Sequence, residues 1–241
     1  MLLEVCVDDA GGLAAAVVGG ADRIELCSAL ELGGLTPTPG LMALAVRAPI
    51  KVRAMVRPRP GDFVFGQGDI QAMLGDIAAI RAAGLSGVVL GASLPDGRLD
   101  IETLGILMEA TVGLGTTLHR AFDLVPDMAE AVEQALALGF DTILTSGGAT
   151  NVLDGAEGIE LAHRVAAGRL TIMAGAGVTA ATAPQLLARV KLDALHGSCS
   201  ETAPAASVAA ARLGFSSPGR KATSAAKVAA LKAVMAAGGM E

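Results

Sequence analysis

The sequence alternates between two patterns about eight times over. Short apolar runs of strand length lie near 2–7, 23–26, 50–56, 87–90, 116–119, 142–145, 170–173 and 194–196. Between them lie Ala-rich stretches with helical spacing, near 10–18, 40–46, 70–83, 101–111, 128–138, 155–167, 180–190 and 225–237. Strands that alternate with helices point to parallel pairing, because a parallel crossover needs a connection about as long as a helix. The punctuation agrees. Gly19-Gly20-Ala21-Asp22, Ala83-Gly84-Leu85-Ser86 and Leu138-Gly139-Phe140-Asp141 each put glycine where a helix would end and a strand begin. Asp127 is placed to cap the helix that follows, with Glu130 three residues on as the second half of a capping box.

Eight such units in 241 residues match a TIM-type (β/α)8 barrel in count and size. The rival is a doubly wound sheet. The polar residues of the strands favour the barrel. Glu4, Glu25, Arg53, His119 and His196 all fall within or at the ends of strands. A doubly wound sheet would bury them between two apolar layers, whereas a barrel can turn them into its lumen. The expectation is a single barrel domain over residues 1–241, closed or incompletely closed, with 199–222 as one long loop before the last helix.

A tetrapeptide pattern occurs twice, as Leu3-Glu4-Val5-Cys6 and Ile24-Glu25-Leu26-Cys27. Side chains alternate along a strand, so Glu and Cys two apart share a face. A buried carboxylate without a partner costs several kcal/mol, so two such strands suggest a site. Cys6 and Cys27 have two readings. On strands about 4.8 Å apart, inward thiolates at one height can share a soft ion such as Cu(I). Alternatively they pack as small hydrophobes. Cys199 reads as a loop thiol.

In a barrel of this type, chemistry collects at the C-terminal ends of the strands. There the sequence places His119-Arg120-Ala121-Phe122-Asp123, with His119 and Glu25 as acid–base candidates. Arg57 and Arg120 are candidate anion holders, with Asp123 beside them. Arg53 is a candidate partner for Glu25. His196 either completes the rim or is a barrel histidine with its own partners. The turns carrying Ser146, Gly148, Gly175, Gly177 and Ser198 expose backbone N–H groups that attract anions, although glycine also serves plain turn geometry.

Composition narrows the partners. A net charge of −6, with no basic stripe, argues against nucleic acid and anionic membranes, and the lack of Trp and Tyr removes most base-stacking platforms. No uninterrupted apolar stretch reaches membrane-spanning length. Met1 runs straight into the first strand with no cationic leader, and three cysteines do not form a disulfide framework. The expectation is a cytoplasmic protein with reduced thiols.

The motifs also resemble a known family. The stretches Leu3-Glu4-Val5-Cys6-Val7-Asp8, Gly19-Gly20-Ala21-Asp22-Arg23-Ile24-Glu25-Leu26-Cys27 and Gly33-Gly34-Leu35-Thr36-Pro37 are similar to the CutC family, named for copper homeostasis. The likeness runs on through Val56-Arg57-Pro58-Arg59-Pro60-Gly61-Asp62-Phe63, through His119-Arg120-Ala121-Phe122-Asp123 and Ile143-Leu144-Thr145-Ser146-Gly147-Gly148, to His196-Gly197-Ser198. It covers about residues 1–200. The resemblance implies a cytoplasmic TIM-type barrel that forms homodimers or larger homo-oligomers. It also implies copper handling, with Cu(I) carried by Cys6 and Cys27. The polar rim keeps a second reading open, in which the barrel binds or transforms a small anionic molecule, phosphorylated or not.

Overall fold

The computed structural model describes residues 1–203, 207–215 and 219–238. Eight strands form the barrel: β1 (Leu2–Val7), β2 (Arg23–Leu26), β3 (Lys51–Met55), β4 (Gly87–Leu90), β5 (Gly115–Leu118), β6 (Thr142–Thr145), β7 (Thr171–Ala174) and β8 (Ala194–Gly197). They pair in parallel in chain order, and β8 returns beside β1 with Glu4 opposite His196. The barrel is therefore closed. Helices α1 (Ala10–Gly19), α2 (Pro39–Ala45), α3 (Gln67–Ala83), α4 (Ile101–Ala110), α5 (Met128–Ala137), α6 (Ala156–Ala166) and α7 (Ala183–Leu187) follow the first seven strands.

The helix ends follow the sequence signals. Gly20 and Gly84 cap α1 and α3 in the left-handed conformation that glycine tolerates best. Asp127 accepts the Glu130 N–H at the start of α5. The Glu130 carboxylate, however, accepts from Gln134, one turn along the helix.

Residues 199–222 are more than one loop. They include β9 (Ser200–Thr202), the short helix α8 (Val208–Arg212) and the start of β10 (Lys221–Thr223), which pairs antiparallel with β9. Three-residue strands are too short for alternation to show, and the pairing of Lys221 with Thr202 spans most of the segment. Helix α9 (Ala225–Gly238) then packs beside α1 and α7.

Strand alternation divides the core. Leu3, Val5 and Val7 of β1, with Ile24 and Leu26 of β2, join the apolar layer under the helices. Burying each such side chain fully contributes about 1.5–3 kcal/mol. Glu4, Cys6, Arg23 and Glu25 take the opposite face and point into the lumen. Two small apolar groups share that lumen: Cys27 with Met55 and Val89, and Leu144 with Met173 and Ala194.

The lumen is polar at its N-terminal end as well. Arg53 donates to the Asp141 carboxylate at 2.7 Å, the Thr116 carbonyl at 2.9 Å and the Thr117 hydroxyl at 2.7 Å. Gly115 makes room for it, since a Cβ there would lie 2.7 Å from the guanidinium. The expected pairing of Arg53 with Glu25 is thus corrected. The two are register neighbours, but the long Arg53 side chain runs down to the starts of β5 and β6, away from the rim.

Candidate functional site at the barrel mouth

The site is built on the seam where β8 meets β1. The Glu4 carboxylate is fully buried and takes hydrogen bonds from Arg23 Nε and, at 2.9 Å, from His196 Nδ1. The other nitrogen of the His196 ring lies toward Glu25, with Nε2 3.7 Å from Oε2. Glu25 Oε2 also accepts from the Cys27 thiol at 3.6 Å. Gly175 gives this cluster clearance, because a Cβ there would meet Leu144 at 2.6 Å and the His196 ring at 3.3 Å.

Electrostatics divides these groups. Burial works against an ionised Glu4, but the hydrogen bond and charge of His196, together with Arg23, outweigh it and hold this carboxyl well below the ordinary range. Burial also disfavours a charged His196, yet the Glu25 and Cys6 charges and the Glu4 hydrogen bond push its imidazole well above its usual value. Glu25 is raised, chiefly by burial, with repulsion from Glu4 adding to it. The Cys27 thiol is pushed up by burial and by Glu25 next to it. Cys27 is therefore a buried, protonated donor.

One group of donor atoms is close enough to hold an ion. The ligand atoms of Cys6, Glu25 and His196 lie within 4.8 Å of one another, and all three residues are buried. Cys27, the thiol that the sequence pairs with Cys6, is outside this set and reaches it through Glu25.

The opposite wall carries two rings tilted against each other by 46°. The Phe63 ring lies 4.7 Å from the His119 ring, and the Arg57 guanidinium sits 5.1 Å from the Phe63 centroid on that wall. His119 Nδ1 accepts the Ala121 N–H at 3.1 Å, so in the neutral ring Nε2 carries the proton. Burial, with the Arg57 charge adding to it, drops the His119 pKa to about 3 and keeps the ring neutral. Gly91 is required behind it, since a Cβ would come within 2.6 Å of the ring. Arg57 donates to the carbonyls of Leu32, Gly34 and Gly61 at 2.8–3.0 Å, drawing two rim loops together. Among the described residues no carboxylate lies within ion-pair distance of it.

A third cluster centres on Asp123. Its carboxylate accepts from the Ser146 and Gly148 N–H groups at 3.0 and 3.2 Å, from the Thr145 and Ser146 hydroxyls at 2.5 and 2.9 Å, and from Arg120 at 2.7 Å. The Ser146–Gly148 turn is thus a nest for an anion, and the anion it holds is the protein's own. Arg120 is spent on the same cluster. The Gly175 N–H is likewise used, on the Thr145 carbonyl. Gly177 takes a positive φ of 78° in the turn after β7, and Ser198 exchanges a 3.0 Å hydrogen bond with Ser200.

The first two clusters face one cavity of about 350 Å³, whose lining includes Cys6, Glu25, Arg57, Phe63, His119 and His196. Four buried side-chain atoms among the described residues have no hydrogen-bond partner: Glu25 Oε1, Arg57 Nε, His119 Nε2 and Ser93 Oγ. The residues of the first three line this cavity.

Comparison with known proteins places this geometry. A sequence model of the CutC family matches residues 1–201. The chain belongs to the CutC family. A CutC family protein of Sinorhizobium medicae is 54% identical over 235 residues, covering 98% of this chain and 96% of the relative. One from Caulobacter vibrioides is 52% identical over 239 residues, with 98% of each covered. The crystal structure of a protein from Streptococcus agalactiae, provisionally named as copper homeostasis protein CutC, superposes with a TM-score of 0.79 at 30% identity, over 82% of this chain and 98% of that one. The family match ends close to where β9 begins.

Two residues of the mouth carry no individual signal in the sequence. Gly91 follows an apolar strand, and nothing local shows that an imidazole from the next strand will press against it. Phe63 sits in a loop, and only its place within a longer motif marks it. Glu4 did have a signal, since it shares a strand face with Cys6.

Proposed function

We propose that this CutC family protein takes Cu(I) as cargo at the seam between β1 and β8, with Cys6 Sγ and His196 Nε2 as donors and Glu25 beside them. The convergence of these three ligand atoms within 4.8 Å carries the reading. A thiolate and an imidazole suit Cu(I) better than an all-oxygen site would. The Glu4 hydrogen bond to His196 Nδ1 supports it further, because a carboxylate behind a ligating imidazole fixes the ring and raises its basicity. Cys27 then acts through Glu25, or as a second thiolate if Glu25 swings aside. The protein would do this in the cytoplasm as a homo-oligomer. Among the described residues no helix is long and apolar enough to cross a membrane.

The test is an anaerobic Cu(I) competition titration of the reduced protein against a chromogenic chelator, repeated with Zn(II). Wild type should bind one equivalent of Cu(I), and Cys6→Ser and His196→Gln should lose it. Cys27→Ser and Glu4→Gln should weaken binding by about 10–100-fold. Equal affinity in wild type and the Cys6→Ser/Cys27→Ser double variant would overturn the proposal. Preference for Zn(II) would reassign the cargo and leave the donor set in place.

A further inference from the structure

The wall opposite the β1–β8 seam supplies none of the proposed copper donors, yet it holds two buried N–H donors without acceptors, Arg57 Nε and His119 Nε2. They flank a common ring, Phe63. Arg57 is 5% exposed and His119 3%. The Arg57 charge is solvated by three carbonyls and the Phe63 face, and among the described residues no carboxylate lies within ion-pair distance of it. A buried guanidinium in that state favours an anion from outside. Its fork, with a neutral imidazole N–H beside it, suits the two oxygens of a carboxylate. The third unpartnered atom is of the opposite kind. Glu25 Oε1 can accept a hydrogen bond, so a ligand that satisfies the cavity brings a donor to that side. Leu30, Met55 and Leu144 supply apolar lining between the polar groups.

From this complementarity we infer that the mouth of the barrel binds a small hydroxycarboxylate, its carboxylate on Arg57 and His119 and its hydroxyl on Glu25. The ligand lies against Phe63. This function is separate from copper handling, although Glu25 borders both sites. A ligand of this kind supplies what each of the three orphaned atoms lacks. It also leaves Asp123 in the neighbouring nest undisturbed.

The test uses the full chain, reduced and freed of metal by a chelator, followed by thermal unfolding at constant ionic strength. The probes are glycolate, lactate, glycerate and hydroxyisocaproate. Isocaproate, which lacks the hydroxyl, and hydroxyisocaproamide, which lacks the charge, are the controls. At least one hydroxycarboxylate should raise Tm by about 5 °C when present at roughly 100 times its Kd. Isocaproate should give a smaller shift and the amide none. His119→Phe keeps a flat ring but has no donor, and should lose the shift while its circular dichroism stays native. If that variant does not fold, Arg57→Gln serves, and should lose the preference for carboxylate over amide. The inference fails if no hydroxycarboxylate exceeds the amide, or if the shift survives in the folded variant. Cu(I) titration of the same variant should match wild type, so failure here is distinguishable from failure of the copper reading.

Discussion

Two places on the barrel mouth gather hydrogen-bond donors and an arginine, and the chain answers them differently. The Ser146–Gly148 turn offers backbone N–H groups, hydroxyls and Arg120, and Asp123 closes it from within. The Arg57–Phe63–His119 wall offers a guanidinium and an imidazole N–H, and among the described residues no carboxylate answers them. A sequence of glycines and arginines looks alike in both. The difference is whether a carboxylate of the protein lies within reach. The first is a structural device that fixes the loop after β6 to the turn after β5, while the second is a buried wall with unmet donors.

The largest effect expected from this comparison comes from emptying the first place. Asp123→Ala leaves two N–H groups, two hydroxyls and Arg120 facing one another, and in urea unfolding should cost about 1–3 kcal/mol for each buried donor left without an acceptor. Added sulfate should restore part of that stability, because the nest would then accept an external anion. Arg57→Gln should cost less, about 1–3 kcal/mol, from carbonyls left unsatisfied. A larger loss for Arg57→Gln than for Asp123→Ala would break the comparison.

Next in size is Gly91→Ala. The new Cβ would press on the His119 ring at 2.6 Å, and overpacking of this kind should cost about 1–3 kcal/mol. The substitution should leave Cu(I) affinity unchanged, which a titration beside the unfolding curve would check.

The pH dependence sharpens the second place. His119 in the folded protein titrates at about 3, against 6.5 for a free histidine. Between those values the unfolded chain binds a proton that the folded chain refuses. Stability from this group is therefore whole above about pH 6.5 and falls as the pH drops toward 3, with a slope of at most about 1.4 kcal/mol per pH unit. Comparing wild type with His119→Phe by denaturation from pH 7 to pH 4 should show a shallower acid loss in the variant. An identical loss would mean that the imidazole is not held neutral. The smallest effect belongs to Cys199→Ser. Cys199 lies outside the donor set of Cys6, Glu25 and His196, so its replacement should leave the Cu(I) titration where it was.

How far the sequence reaches follows from the same residues. Alternation along single strands was enough to turn Glu4, Cys6 and Glu25 to one side, because a period of two is a local property. The barrel itself was legible from eight strand–helix units, since few architectures accommodate that order. What stayed hidden depends on contacts between distant residues. Glu4 meets His196 across 192 positions, and Arg53 finds Asp141 across 88. The sequence suggested Glu25 for Arg53, and nothing local shows that the long side chain will run on to Asp141 instead. The Asp123 nest shows the same limit, because a turn that binds anions has the same residues whether the anion is foreign or its own.

The closure of β8 onto β1 gives the candidate site a place in time as well as in space. Glu4 and His196 stand 192 positions apart, so the strand that opens the seam is made well before the strand that closes it. Until the last strand arrives the first one has an open edge, and the charged pair that belongs in the lumen has one member. A ligand gripped by both strands of the seam recognises only the closed barrel and resists its reopening. Anything bound by Cys6 and His196 together is thus also a clasp on the seam.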